Sequence, residues 1–218
     1  MESPPIAGLV FDLDGVLLLS RDCHRRAFEE VFANFGIVDF DYGAFAGWRT
    51  LDVVHQVFAG RGIQVTEETA AACARRKSAR ARELLDAEKP LAPECVPVLQ
   101  SLAGRYQLAL ASSGSRTGVQ AFLDHTGLER IFRSVLSGDD VLKAKPHPEI
   151  FERSIHALGL EAARCMAIED AAAGVQAARS AGARVIGMGR ERAGELASAG
   201  AERVVGSLRE LATVLQVL

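Results

Sequence analysis

Cysteine is scarce and scattered in this 218-residue chain: Cys23, Cys73, Cys95 and Cys165 form no Cys-x-x-Cys pair, and no histidine stands at metal-ligand spacing. That argues against a structural zinc site and a disulfide framework, and a reducing, cytoplasmic setting is the expectation. Aromatic residues are few, at 6%. Lys and Arg number 25 against 28 Asp and Glu. Neither the stacking platform nor the basic footprint of a nucleic-acid-binding protein is present. The densest basic run, Arg75-Arg76-Lys77 with Arg80 and Arg82, spreads over more than one helical face and reads as solvated surface. Long apolar runs are also missing, and Met1-Glu2-Ser3-Pro4-Pro5 carries no basic region ahead of an apolar stretch, so no membrane segment or secretory signal is expected.

What is present suits a folded α/β protein. Apolar residues make up 49% of the chain and charged residues 24%, enough for one good-sized core with or without an inserted unit. Residues 6–12 and 107–111 read as strands. The roughly ninety residues between them show helical periodicity instead. Ala27, Phe28, Val31, Phe32 and Phe35 form an i, i+3, i+4 stripe in a helix over 24–35, a second helix fits 51–58, and a long one over 67–85 opens at Thr66 as N-cap. From 111 onward, strands at 134–136, 165–168, 184–187 and 203–205 alternate with helices at 116–125, 148–158, 171–180 and 208–215. Alternation of this kind predicts a Rossmann-like, doubly wound parallel sheet, with an all-helical insert between its first two strands.

Four segments fall where strands end. Asp12 and Asp14 stand two residues apart after an apolar run, a spacing that puts both carboxylates on one side of a strand, although an acidic turn has the same pattern. Ser112, Ser113, Gly114 and Ser115 follow the next strand and open a helix, either as a turn or as an anion site. Lys145, held extended by Pro146, precedes another helix, and Glu169-Asp170 ends a further apolar strand ahead of Gly174. Two acidic pairs with a lysine and a hydroxyl between them suit phosphoryl transfer. A carboxylate approaching a phosphate dianion meets about 4 kcal/mol of repulsion per charge pair at about 4 Å and an effective dielectric near 20. Mg²⁺ and a lysine offset that repulsion, while a hydroxyl and helix N–H groups orient the oxygens.

In these segments the chain resembles the haloacid dehalogenase superfamily, in its branch of helical-cap phosphatases and β-phosphoglucomutases. The resemblance runs from about Ala7 to Leu215 and rests on Asp12-x-Asp14-Gly15-Val16, Ala111-Ser112-Ser113, Lys145-Pro146-x-Pro148-x-Ile150-Phe151 and Glu169-Asp170-x-x-x-Gly174, in that order. It implies that Asp12 is the nucleophile and Asp14 the general acid and base, that Ser112 binds the transferring phosphoryl group, and that Lys145 pairs with Asp12 and the phosphate. It further implies Mg²⁺ held by Asp12, the Asp14 backbone carbonyl and Asp170, with Glu169 as a direct or water-mediated ligand. Asp14 argues against dehalogenation, because relatives acting on carbon–halogen bonds lack this second aspartate.

By the same resemblance residues 17–89 form a cap over a catalytic core made of 1–16 and 90–218, hinged near Val16 to Arg21 and Lys89 to Pro93. His24, Gly47, Arg49, Lys77 and Ser113 are the candidate substrate contacts, with Trp48 at the pocket or the cap edge. Two positions depart from the family pattern: Leu19 stands where an aspartate is usual, and Ala171 where serine or threonine is common. His147, between two prolines, reads as a surface residue. The implied partner is a small phosphorylated metabolite, handled by a monomer or weak homodimer without nucleic acid or membrane. Phosphatase and phosphomutase remain alternatives, as does a non-catalytic binding module on the same fold.

Overall fold

The computed structural model describes residues 4–216. The first three residues of the N-terminal segment read above and residues 217–218 lie outside the described residues. Six parallel strands form one sheet: β1 (Gly8–Phe11), β2 (Gln107–Ala111), β3 (Phe132–Leu136), β4 (Cys165–Glu169), β5 (Arg184–Met188) and β6 (Arg203–Val205), in the order β3-β2-β1-β4-β5-β6. The chain fills one side of β1 with β2 and β3, then crosses to the other side with β4. Phe11 pairs with both Leu110 and Ile168, so the ends of β1, β2 and β4 lie level at this switch point, where open α/β sheets place ligands.

Alternation along the strands builds two apolar layers. On one face Leu9, Phe11, Leu108, Leu110, Met166 and Ile168 pack with α4 (Cys95–Ala103), α5 (Arg116–Thr126) and α9 (Leu208–Val214). On the other, Val10, Ala109, Ala111 and Ala167 pack with α6 (Glu149–Leu158), α7 (Ala172–Ser180) and α8 (Ala193–Ala199). The sheet is therefore doubly wound, as expected. Two of these helices, α4 and α8, had no counterpart in the sequence reading. Pro97 follows the prolines of the Lys89 to Pro93 hinge, yet it sits in the first turn of α4, where a missing N–H is tolerated. Ala193–Ala199 buries only Leu196 and so carries no apolar stripe.

Between β1 and α4 run α1 (Arg21–Ala33), α2 (Thr50–Gly60) and α3 (Glu67–Glu88), which surround their own core of Phe28, Val31, Phe32, Val53, Val54, Val57 and Phe58. The chain's few aromatics gather here: Phe28 stacks on Phe32 at 5.4 Å and Phe35 meets Phe58 at 4.8 Å between ring centroids. Thr66 caps α3 as expected, accepting from the Thr69 N–H. The two chain crossings into this unit are bonded to each other, Leu19 N–H to Pro90 O at 2.7 Å and Ala92 N–H to Leu17 O at 2.9 Å. Leu19 is 54% exposed there, which accounts for the tolerance of an apolar side chain at that position. Among the described residues no helix is long and apolar enough to cross a membrane.

Candidate active site

β1 ends at Phe11, so strand alternation does not place both aspartates; a turn does. Leu17 and Leu18 N–H both reach Leu13 O, Gly15 N–H reaches Leu18 O at 2.6 Å, and Gly15 takes φ +83°. Asp12 stays at the carboxyl end of the central strand, its N–H bonded to Ile168 O, while Asp14 is carried toward the helical unit. The two residues nonetheless line one cavity.

The buried Lys145 joins the strand ends. Its Nζ donates to Asp12 Oδ1 at 2.5 Å, Glu169 Oε1 at 2.6 Å and Ala111 O at 2.9 Å, and the Lys145–Pro146 peptide is cis. Burial works against the ammonium, but Asp12 and Glu169 outweigh it and hold Lys145 above the ordinary lysine range. Burial also pushes the Asp12 carboxyl well up, against the pull of Lys145 and assisted by Glu169, Asp170 and Asp14. Asp170 is raised to about 7, by burial first and then by Glu169. Asp12, Glu169 and Asp170 offer one oxygen each within 4.8 Å of one another. Three carboxylates facing one lysine leave negative charge in excess, and hard oxygens at this spacing fit a divalent cation such as Mg²⁺. Glycines make the close approach possible: a Cβ at Gly15 would collide with the Asp170 carboxylate, and one at Gly174 with that of Glu169.

Asp14 belongs to a second network. Its Oδ1 accepts from Ser20 Oγ at 2.6 Å and is 2.9 Å from His24 Nε2. His24 Nδ1 lies 2.8 Å from Lys77 Nζ, which also sits 4.2 Å over the Phe28 ring. An ammonium has only protons to give, so Nδ1 accepts and Nε2–H is left to donate to Asp14. Burial would raise Asp14, but His24, Ser20 and Lys77 hold it below the usual carboxylate range. Lys77 is pushed down to about 8 by burial, opposed by Asp14. Solvated surface is therefore the wrong description for this member of the basic run: Lys77 is 4% exposed, because α3 turns that position inward against α1.

The cavity shared by Asp12 and Asp14 holds about 40 Å³ and is also lined by His24, Gly47, Trp48, Lys77 and Ser113. Through Thr50 and Ser113 it adjoins a cleft of about 610 Å³ lined by Arg49, Arg75, Arg82 and Ser115. Arg49 faces that cleft, paired with Asp52 at 2.9 Å. Ser112 is fully buried, its Oγ accepting from Gly114 N–H at 2.9 Å. Gly47 meets the core at Ala171, whose N–H donates to Glu169 Oε2 at 3.2 Å. His147 stays apart, its Nδ1 accepting from Glu149 N–H. Nothing in the sequence singled out Tyr42 on the cavity wall, or Arg192 beside Asp170. Ser20, four residues before His24 at a helix start, is the serine of the family's Ser-x-x-x-His entry that the resemblance pointed to.

The sequence matches the haloacid dehalogenase-like hydrolase family over residues 6–182. It is 32% identical to the fructose-1-phosphate phosphatase YqaB of Escherichia coli over 183 residues, 81% of this chain and 93% of that protein. The fold is similar to β-phosphoglucomutase from Clostridium difficile, with TM-score 0.83, 27% identity and coverage of 94% of this chain and 93% of the other. CbbY from Rhodobacter sphaeroides, solved in complex with phosphate, gives TM-score 0.79 at 28% identity over 94% and 96%. A match of that extent, over charged groups that converge at the switch point of the sheet, makes this chain a member of the haloacid dehalogenase-like hydrolase family.

Proposed function

We propose that this chain is a Mg²⁺-dependent phosphatase that hydrolyses a small sugar phosphate or similar phosphomonoester through an aspartyl-phosphate on Asp12. The observation that carries the reading is the Lys145 bridge between Asp12 and Glu169 inside a cluster of three carboxylates, with Asp14 held separately by Ser20 and His24. Likeness to a fructose-1-phosphate phosphatase supports the substrate class.

In this reading the Asp12 carboxylate attacks phosphorus and the ester P–O bond breaks. Lys145 holds Asp12 in place and offsets its charge as the dianion approaches. Ser112 Oγ and the N–H groups opening α5 orient the phosphoryl oxygens. Asp14 gives its proton to the leaving oxygen, then takes one from the water that attacks the aspartyl-phosphate. His24, Ser20 and Lys77 favour the Asp14 carboxylate, the form used in the second of these steps, so in this reading the proton given up in the first is taken up as the phosphate dianion approaches and raises the affinity of Asp14 for it. Asp12, Asp170 and the Asp14 carbonyl, with Glu169 directly or through water, would hold Mg²⁺, which would supply positive charge against the phosphate oxygens.

Residues 17–89 act as the cap over a core of 1–16 and 90–218. The 40 Å³ cavity is too small for a sugar phosphate, so loading requires the cap to lift, and the sugar then extends into the cleft that Arg49 faces. A phosphomutase reading draws support from the β-phosphoglucomutase likeness. Incubation with fructose 1-phosphate, glucose 1-phosphate anomers and other esters, following free phosphate and isomerised sugar phosphate together, separates the two. Phosphate release without isomerisation is expected. Isomerisation without release would overturn the phosphatase reading.

A further inference from the structure

Arg192 lies in the turn after β5, beside the β4 end that carries Glu169 and Asp170, and its side chain is 13% exposed. Its Nη1 donates to the Asp170 backbone carbonyl at 2.8 Å and stands 3.6 Å from Asp170 Oδ2. Glu195 takes the other edge of the guanidinium, accepting from Nε at 3.0 Å and from Nη2 at 2.8 Å. A planar fork gripped along one edge presents the other in a fixed direction. The same Oδ2 abuts Gly15, where there is no room for a Cβ.

We propose that Arg192, gripped by Glu195, is a positioning residue that holds Asp170 at the cation site and thereby sets the affinity for divalent metal. The inference rests on Asp12, Glu169 and Asp170 being cation ligands, as in the proposed function. Two effects oppose each other. A guanidinium charge repels an incoming cation, yet the same charge offsets the repulsion between Asp170 and Glu169 and keeps Asp170 turned inward. Partners that orient metal ligands ordinarily change affinity by about 10–100-fold. Repulsion is softened because part of the guanidinium charge is already neutralised by Glu195. Positioning therefore dominates.

The test is Mn²⁺ binding to the metal-free protein, followed by the loss of the free-ion electron paramagnetic resonance signal, with Mg²⁺ as competitor. Arg192→Ala weakens binding about 10-fold or more. Glu195→Gln weakens it less, and Arg192→Lys restores part of the loss, because lysine keeps the bond to the Asp170 carbonyl without the fork. At saturating metal the KM for the phosphate ester stays at the wild-type value, a split that a general loss of structure would not produce. Should Arg192→Ala fail to fold, Glu195→Gln carries the same comparison. Wild type that binds Mn²⁺ while these variants bind it equally or more tightly overturns the inference. Wild type that binds no Mn²⁺, indistinguishable from Asp170→Asn, overturns the cation reading itself and the inference with it.

Discussion

Lys77 on α3 and His24 on α1 meet at 2.8 Å, far apart in sequence, and through His24 the lysine reaches Asp14. Lys77 has its folded pKa lowered to about 8 by burial, against about 10.4 in an unfolded chain. Between those values the unfolded chain holds the proton and the folded one does not, so this group makes stability rise with pH across that window. Urea titrations at pH 7 and pH 9.5 are expected to show wild type gaining stability relative to Lys77→Met. Activity is expected to fall above about pH 8, as His24 Nδ1 loses its ammonium donor, and that descending limb is absent in Lys77→Met.

In the proposed function Asp12→Asn removes the attacking carboxylate, and phosphate release is expected to fall by about 10⁴-fold or more. Lys145 keeps Glu169 as partner in this variant, so its melting transition remains cooperative. Turnover near the wild-type rate would show that another group attacks phosphorus.

Lys145→Ala strands Asp12 and Glu169 as buried carboxylates facing Asp170. Removing one partner of a buried ion pair typically destabilises by about 3–5 kcal/mol. Chemical denaturation without metal is expected to show a loss of that size, and Mg²⁺ to recover part of it by taking over the neutralising role.

Gly47 takes φ +82°, and a Cβ there would stand 2.7 Å from the Ala171 Cβ, the point where the helical unit touches the β4 loop. Gly47→Ala props the two apart. kcat/KM for a phosphate ester is expected to fall about 10-fold or more, with Mn²⁺ binding unchanged. Equal loss of metal binding would place the effect in the core instead of in cap closure.

Much of this arrangement was legible beforehand, and the reasons differ residue by residue. The strand ends announced themselves, because apolar runs such as Ala167-Ile168 stop at residues that cannot be buried unpaired. Asp12, Ser112, Lys145 and Glu169 then fell together once the sheet was read as parallel. Arg192 escaped notice because its partner is a backbone carbonyl, which leaves no mark in a side-chain pattern. The residue pattern gave no sign of the inward turn of Lys77, which only the resemblance offered as a substrate contact, since α3 is crowded with alanine and arginine and its buried face shows no large apolar stripe. Ala193–Ala199 and the proline-bearing α4 lacked periodicity or carried a residue that normally signals a stop.

The crossings at Leu17–Leu19 and Pro90–Ala92 have a consequence for how such a chain can be rebuilt. Because the segment leaves and re-enters the sheet layer at one hydrogen-bonded ladder, the ends exposed by excising it would already lie side by side, and a short turn would close them at little entropic expense. The helical unit is thus a detachable module on a scaffold whose own wiring is continuous without it, and under the proposed function exchanging that module is a route to new substrates with Asp12, Ser112 and Lys145 left in place.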